Sequence, residues 1–257
     1  MQIHFSKYHG TGNDFILIDN RKGNFPKKPP IIQQLCDRNF GIGSDGLILI
    51  EDHPSLDYRM IFFNPDGSES LCGNGSRCGF EFAKSLGMVK EIATLETTDG
   101  VHQARLFDGL IGISLHDVST VEKNGDDFYL DTGSPHYVSI VEDIDKVDVI
   151  KLGQEIRYSK SYSSQNGTNV NFAQLLQDRV LVRTYERGVE NETLSCGTGV
   201  TAVALVAAQL GHQSPLSIET SGGNLRVEFM KTEAGFENIW LTGPVKFVFK
   251  GAVELED

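Results

Sequence analysis

Short runs of alternating apolar and polar residues, each closed by Gly, Asn or Asp, fill most of this chain. An alternation of period two fits a half-buried strand, and it predicts strands over residues 14–18, 47–51, 58–63, 101–106, 111–115, 137–141, 180–185, 225–230 and 245–249. Helical spacing replaces it over residues 76–86 and 200–210, and more weakly over residues 31–38 and near 147–156. The segment 200–210 is apolar nearly all round, which predicts a buried central helix wrapped by sheet. Gly87 and Gly211 stand where a left-handed residue closes a helix.

The two strong helices share more than their spacing. Leu71-Cys72-Gly73-Asn74-Gly75 opens the first and Ser195-Cys196-Gly197-Thr198-Gly199 opens the second, with the cysteines 124 positions apart in a chain of 257 residues. The copy resumes at Leu95-Glu96-Thr97-Thr98-Asp99-Gly100, which returns as Ile218-Glu219-Thr220-Ser221-Gly222-Gly223. This is the signature of a duplicated domain. The expected architecture is α+β, with two pseudo-symmetric domains, each a β-sheet or barrel around a central helix, and an active site in the cleft between them. The polar stretch Asn124-Gly125-Asp126-Asp127 lies near the midpoint, and the junction is placed just before it.

Composition narrows the function. A formal net charge of −12, with only 23 Lys and Arg and no basic cluster, argues against nucleic acid or an anionic membrane as partner. The start of the chain lacks a long apolar core and residues 200–210 are too few to span a bilayer, so a cytoplasmic location is expected. Four cysteines, Cys36, Cys72, Cys78 and Cys196, form no Cys-x-x-Cys pair and read as free thiols. Gly41-Ile42-Gly43-Ser44-Asp45-Gly46 has the letters of a dinucleotide fingerprint, but a strand follows where a helix is required.

The chemistry starts at the helix ends. The first N–H groups of a helix lack internal partners and carry the positive end of the macrodipole, so they can hold a carboxylate and favour a thiolate. A cysteine there becomes more acidic than its usual value of about 8.5. Two such ends turned to one cavity would hold an amino acid's carboxylate while one thiolate removes the α-proton and the other thiol protonates the opposite face. No pyridoxal cofactor and no metal is called for.

His9-Gly10-Thr11-Gly12-Asn13-Asp14-Phe15, Asn64-Pro65-Asp66-Gly67-Ser68-Glu69, Cys72-Gly73-Asn74-Gly75-Ser76-Arg77-Cys78, Tyr185-Glu186-Arg187-Gly188 and Ser195-Cys196-Gly197-Thr198-Gly199 together resemble the diaminopimelate epimerase family, over essentially the whole chain. The resemblance implies that the last strand returns to the first domain, giving domains of residues 1–118 with 246–257, and 119–245. It implies cofactor-independent epimerisation of LL-2,6-diaminopimelate to the meso form, for lysine and peptidoglycan precursors, by a homodimer. Cys72 and Cys196 match the two catalytic bases. Gly73, Asn74, Gly197 and Thr198 match the groups that hold the reacting carboxylate. Asn13, Asn64, Asn169 and Arg187 match substrate contacts, and Glu186 and His136 match polar partners near the reacting ammonium and thiol.

The chain departs from that pattern at Ser134, where Asn precedes the Pro-His pair in the family, and at Gly46, where some members carry Gln. Three other readings stand beside it. A proline or hydroxyproline racemase would use the same paired thiols, but would carry His at position 74 and Pro at 195. A thiol redox sensor would need Cys72 and Cys196 to form a regulatory disulfide. An isomerase-type relative would lack both cysteines.

Overall fold

The computed structural model describes residues 1–163 and 167–255, so Glu256 and Asp257, expected to return with the last strand, lie outside the described residues. The chain opens with β1 (Gln2–Gly10), β2 (Asn13–Asp19), α1 (Pro29–Cys36), β3 (Gly46–Glu51), β4 (Tyr58–Phe63), α2 (Gly73–Ser85), β5 (Ile92–Thr97), β6 (Gly100–Phe107) and β7 (Leu110–Ser114). It continues through β8 (Glu122–Asn124), β9 (Asp127–Asp131), β10 (Pro135–Ile140), α3 (Val149–Arg157), α4 (Lys160–Ser163), β11 (Asn169–Leu175), β12 (Val180–Glu186) and β13 (Asn191–Thr193). It ends with α5 (Gly197–Gln209), β14 (Leu216–Thr220), β15 (Gly223–Thr232), β16 (Gly235–Gly243) and β17 (Lys246–Glu254).

These elements form two compact units, Met1–Ile113 with Gly243–Asp257, and Ser114–Thr242. The first crossing comes before residue 118 for a backbone reason. Leu115 N donates to Ile239 O at 2.8 Å and Val118 N to Phe236 O at 2.9 Å, which ties this stretch to β16.

Within each unit the strands pair in one order of senses. In the first, β17–β1 and β1–β2 are antiparallel, β2–β3 parallel, β3–β4 antiparallel, β4–β5 parallel, and β5–β6 and β6–β7 antiparallel. In the second, β8–β9 and β9–β10 are antiparallel, β10–β11 parallel, β11–β12 antiparallel, β12–β14 parallel, and β14–β15 and β15–β16 antiparallel. The duplication is therefore topological as well as sequential. The C-terminal β17 fills in the first unit the place that β8 fills in the second, and β13 is an addition peculiar to the second.

Registers align the two ladders residue by residue. Phe15 pairs with Gly46 and Leu47 with Phe63 in the first unit, as His136 pairs with Asn169 and Val170 with Tyr185 in the second. Ile48 and Asn171 thus occupy equivalent positions, and so do Phe62 and Thr184.

Burial explains why the sheets need helices on both faces. Leu47 and Leu49 of β3 join a core with Ile32 and Leu35 of α1, while a Cβ at Gly75 or Gly79 of α2 would touch Ile48 or Ile50 from the other side. A strand covered on both faces carries an uninterrupted apolar run, as Leu47-Ile48-Leu49-Ile50 does. In the second unit Val170 and Phe172 pack with Val149 and Tyr185 beside α3, and α5 runs among β9, β10, β11, β12, β14 and β15. Eleven of the thirteen residues of α5 are buried. No helix among the described residues is long and apolar enough to cross a membrane.

Helix bounds shift from those that periodicity predicts. The helices begin at Gly73 and Gly197, three residues before the predicted starts, because cap geometry rather than propensity sets the first turn. Their ends carry the left-handed glycines, Gly87 at φ 75° and Gly211 at φ 103°. The two weaker helices run over Pro29–Cys36 and Val149–Arg157.

Candidate active site

Cys72 and Cys196 are the N-cap residues of α2 and α5, both with extended backbone, at φ −136° and −110°. Ser, Thr, Asp and Asn cap helices better than cysteine, so a thiol at both positions points to chemistry rather than folding. Each unit surrounds its thiol differently.

In the first unit, Cys72 Sγ accepts from Gly75 N at 3.4 Å and lies 3.7 Å from Asn13 Oδ1. Asn13 follows a tight turn through Thr11 and Gly12, both at positive φ. Its Nδ2 donates to Asp45 Oδ2 at 2.8 Å, which orients the amide and turns Oδ1 toward Cys72 and Asn74 Nδ2, the latter at 3.3 Å. Gly73 and Asn74 hold the first two positions of α2, where backbone N–H groups aim past the helix end. Asn64 behaves otherwise. Its Nδ2 donates to Ser68 Oγ and Ser70 Oγ, both at 3.1 Å, so its side chain braces its own turn.

Arg77 is a residue that sequence reasoning passed over. It is wholly buried one turn into α2, donates from Nη2 to Asn74 Oδ1 at 2.9 Å, and has no partner for Nε or Nη1 among the described residues. Burial pulls its pKa down to about 10, against the opposing influence of the Cys78 and Cys72 sulfurs. It remains a cation at neutral pH. Cys78 and Cys36 are buried thiols pushed up by burial and remote from a helix start, which suits inert packing residues.

In the second unit, Cys196 Sγ lies 3.6 Å from Thr198 Oγ1, and that oxygen is 2.9 Å from His136 Nε2. His136 Nδ1 is 3.1 Å from Asn171 Nδ2. Burial, reinforced by the Arg187 charge, pushes the imidazole down to about 3, so His136 is neutral at physiological pH. It can orient and polarise, but it holds no proton to give as an imidazolium.

Glu186 ends β12 and Arg187 opens the turn that follows, which a part-buried hydrogen-bond network fixes. Glu186 Oε2 accepts from Thr193 Oγ1 at 2.8 Å, which explains the extra strand β13. Arg187 N donates to Asn169 Oδ1 at 2.9 Å, and Asn169 Nδ2 donates to Ser134 Oγ and Pro135 O, each at 2.9 Å. Ser134 Oγ also accepts from Arg187 Nη2 at 3.2 Å. The shorter residue at 134 thus braces the guanidinium. Gly46 has an equally local reason, since a Cβ there would fall 2.3 Å from the Phe62 ring.

The structure therefore joins Asn13, Cys72 and Asn74 in one hydrogen-bonded group, and His136, Thr198 and Cys196 in another, with Asn169, Ser134 and Arg187 linked beside the second. Arg77 and Asn171 belong to these groups as well. A carboxylate or a developing carbanion next to either helix start would meet oriented N–H donors in a largely buried setting, where such donors act most strongly.

The two-unit fold is shared with solved structures. A phenazine biosynthesis protein of the PhzF family from Bacillus anthracis superposes with a TM-score of 0.80 at 16% identity, covering 99% of this chain and 100% of that one. The likeness at that identity concerns the fold. Residues 5–109 and 128–248 match the sequence model of the diaminopimelate epimerase family. The diaminopimelate epimerase of Flavobacterium psychrophilum is 45% identical over 253 residues, 96% of this chain and 98% of that protein. The one from Aquifex aeolicus is 39% identical over 279 aligned positions, 99% of each. The chain belongs to the diaminopimelate epimerase family and is an amino-acid epimerase.

Proposed function

We propose that this enzyme converts LL-2,6-diaminopimelate to the meso form, and back, with Cys72 and Cys196 as its two acid–base groups. The observation that carries the reading is the equivalence of the thiols: each caps the corresponding helix of one of two matching ladders. In one direction a thiolate takes the α-proton, so that a C–H bond breaks, an S–H bond forms and the electron pair stays on carbon. The second thiol then gives its proton to the other face of that carbon. Reversal exchanges the roles, so the enzyme needs a base and an acid on opposite faces but no net redox change.

Carbanion formation beside a carboxylate is the difficult step. The N–H groups at Gly73, Asn74, Gly197 and Thr198 supply the donors for that carboxylate, and one oriented donor contributes roughly 3 to 4 kcal/mol to such a transition state. Asn13, Asn169 and Arg187 serve substrate recognition, and Asn64 does so from a turn that its own amide braces, with the Arg187 guanidinium suited to a second carboxylate through paired N–H donors. Glu186 serves the reacting ammonium and His136 the thiol. The same reading brings a homodimer at work in the cytoplasm, supplying lysine and peptidoglycan precursor synthesis without pyridoxal phosphate or metal.

Enzyme dialysed against chelator and hydroxylamine should interconvert the LL and meso isomers in deuterated water and place one deuterium at the inverted α-carbon. Activity that disappears with this treatment and returns with pyridoxal phosphate or a metal would overturn the proposal.

A further inference from the structure

Three equivalent positions of the two ladders differ in polarity. Phe15, Ile48 and Phe62 in the first unit correspond to His136, Asn171 and Thr184 in the second. The apolar trio shows that this fold needs no polar residue at those places. Burying three polar side chains costs free energy unless every hydrogen bond is made, so a completed network there calls for a purpose outside stability.

The network has a direction. Asn171 Nδ2 lies 2.8 Å from Tyr137 O, a carbonyl that can only accept, which fixes the amide orientation. Thr184 Oγ1 donates to Asn171 Oδ1 at 3.0 Å and secures the same orientation from the other side. The remaining Asn171 N–H then points at His136 Nδ1, so Nδ1 accepts and the imidazole proton sits on Nε2. Nε2 donates to Thr198 Oγ1. The Thr198 hydroxyl hydrogen is thereby left to point elsewhere, and Cys196 Sγ is 3.6 Å away. Asn171 also packs closely under the helix start, since a Cβ on Gly199 would fall 2.4 Å from its Oδ1.

We propose that Asn171 is a positioning residue that, through the His136 tautomer, turns the Thr198 hydroxyl into a hydrogen-bond donor for Cys196 and so favours its thiolate. The proposal rests on Cys196 being a reacting thiol. Of the charged groups on the strands packed against α5, Arg183 pairs with Glu192, Arg226 with Glu228 and Glu219 with Arg179, while Lys231 donates to Ala208 O and Gln209 Oε1 at the far end of the helix. Asp131 accepts from Gly133 N, Asp127 from Tyr137, and Glu186 from Thr193. Arg187 is the charge that acts on His136, and it favours the neutral ring.

Two readouts test this without turnover. In the 15N spectrum of the wild-type enzyme, His136 should carry its proton on Nε2 with Nδ1 bare throughout the neutral pH range. The rate of Cys196 alkylation, followed against pH by peptide mapping, should shift its midpoint up by about one unit in Asn171→Leu, Asn171→Asp and Thr198→Val. The Cys72 midpoint should stay in place in the same samples. Asn171→Leu combined with Thr198→Val should shift no further than Thr198→Val alone, because both break one chain. His136 protonated on Nδ1, or a Cys196 midpoint unmoved in folded Asn171→Asp and Thr198→Val, would overturn the proposal. Equal shifts at Cys72 and Cys196 would do the same by revealing a general structural effect. Failure of the two-thiol reading itself would instead appear as absent deuterium exchange in an enzyme whose Cys196 midpoint responds as stated.

Discussion

Arg77 donates from Nη2 to Asn74 Oδ1 at 2.9 Å while its Nε and Nη1 find no partner among the described residues. A buried guanidinium with unmet donors lowers stability, and replacing such a charge by an apolar side chain of similar length is often neutral or stabilising. Asn74, in contrast, is oriented at the head of α2 by Arg77 on its oxygen and Asn13 on its nitrogen. Arg77→Met should therefore melt at or above the wild-type temperature while kcat/KM falls at least about tenfold. A variant that melts several degrees lower and retains full activity per folded molecule would refute this account of Arg77.

His136 makes a second prediction, about acid stability. Burial holds its folded pKa near 3 against an ordinary value of 6.5. Between those values the unfolded chain binds a proton that the folded chain does not, so stability is intact above about pH 6.5 and declines toward pH 3, by up to about 1.4 kcal/mol per pH unit. His136→Phe, which places here the residue found at the equivalent Phe15, should flatten urea midpoints over that window and impair turnover. A slope unchanged by the substitution would mean that another group carries it.

The turn bearing Glu186 and Arg187 hangs on Glu190, whose carboxylate accepts from Arg157 Nε at 2.6 Å, Tyr158 Oη at 2.7 Å and Gly188 N at 2.9 Å. Burial alone would raise the Glu190 pKa, but these donors outweigh it and hold it near 2, below the ordinary 4.5. Its contribution is thus present above about pH 4.5 and lost as pH falls toward 2. Glu190→Gln should remove acid sensitivity only below about pH 4.5 and, with Arg187 in its proposed role toward substrate, raise KM more than it lowers kcat. Steady-state kinetics showing a purely kcat effect would contradict that division.

Particular residues show what was legible in the sequence. Eight of the nine predicted strands alternate with one face buried or, like β3, run apolar with both buried, while residues 246–249 are exposed and form a strand by pairing with β1. β11 escaped because Asn169 and Asn171 interrupt its apolar pattern, where they hydrogen-bond Ser134, Arg187 and His136. β1 escaped through polar positions such as Lys7, buried but paired with Asp14 at 2.6 Å. The thiols at Cys72 and Cys196 were visible because duplication printed them twice. Arg77 and Asn171 were not, since arginine reads as surface and asparagine as turn, and only the alignment of two registers sets Asn171 opposite an isoleucine.

The two-thiol account is tested most directly by single thiol replacement with isotope readout. Cys72→Ala and Cys196→Ala, each incubated in deuterated water with LL- and then meso-diaminopimelate, should both fail to invert the α-carbon. Each should exchange the α-proton of at most one configuration, the one whose proton its remaining thiol can reach, while Cys36→Ala and Cys78→Ala continue to epimerise. Inversion at near wild-type rate by either Cys72→Ala or Cys196→Ala would contradict the account.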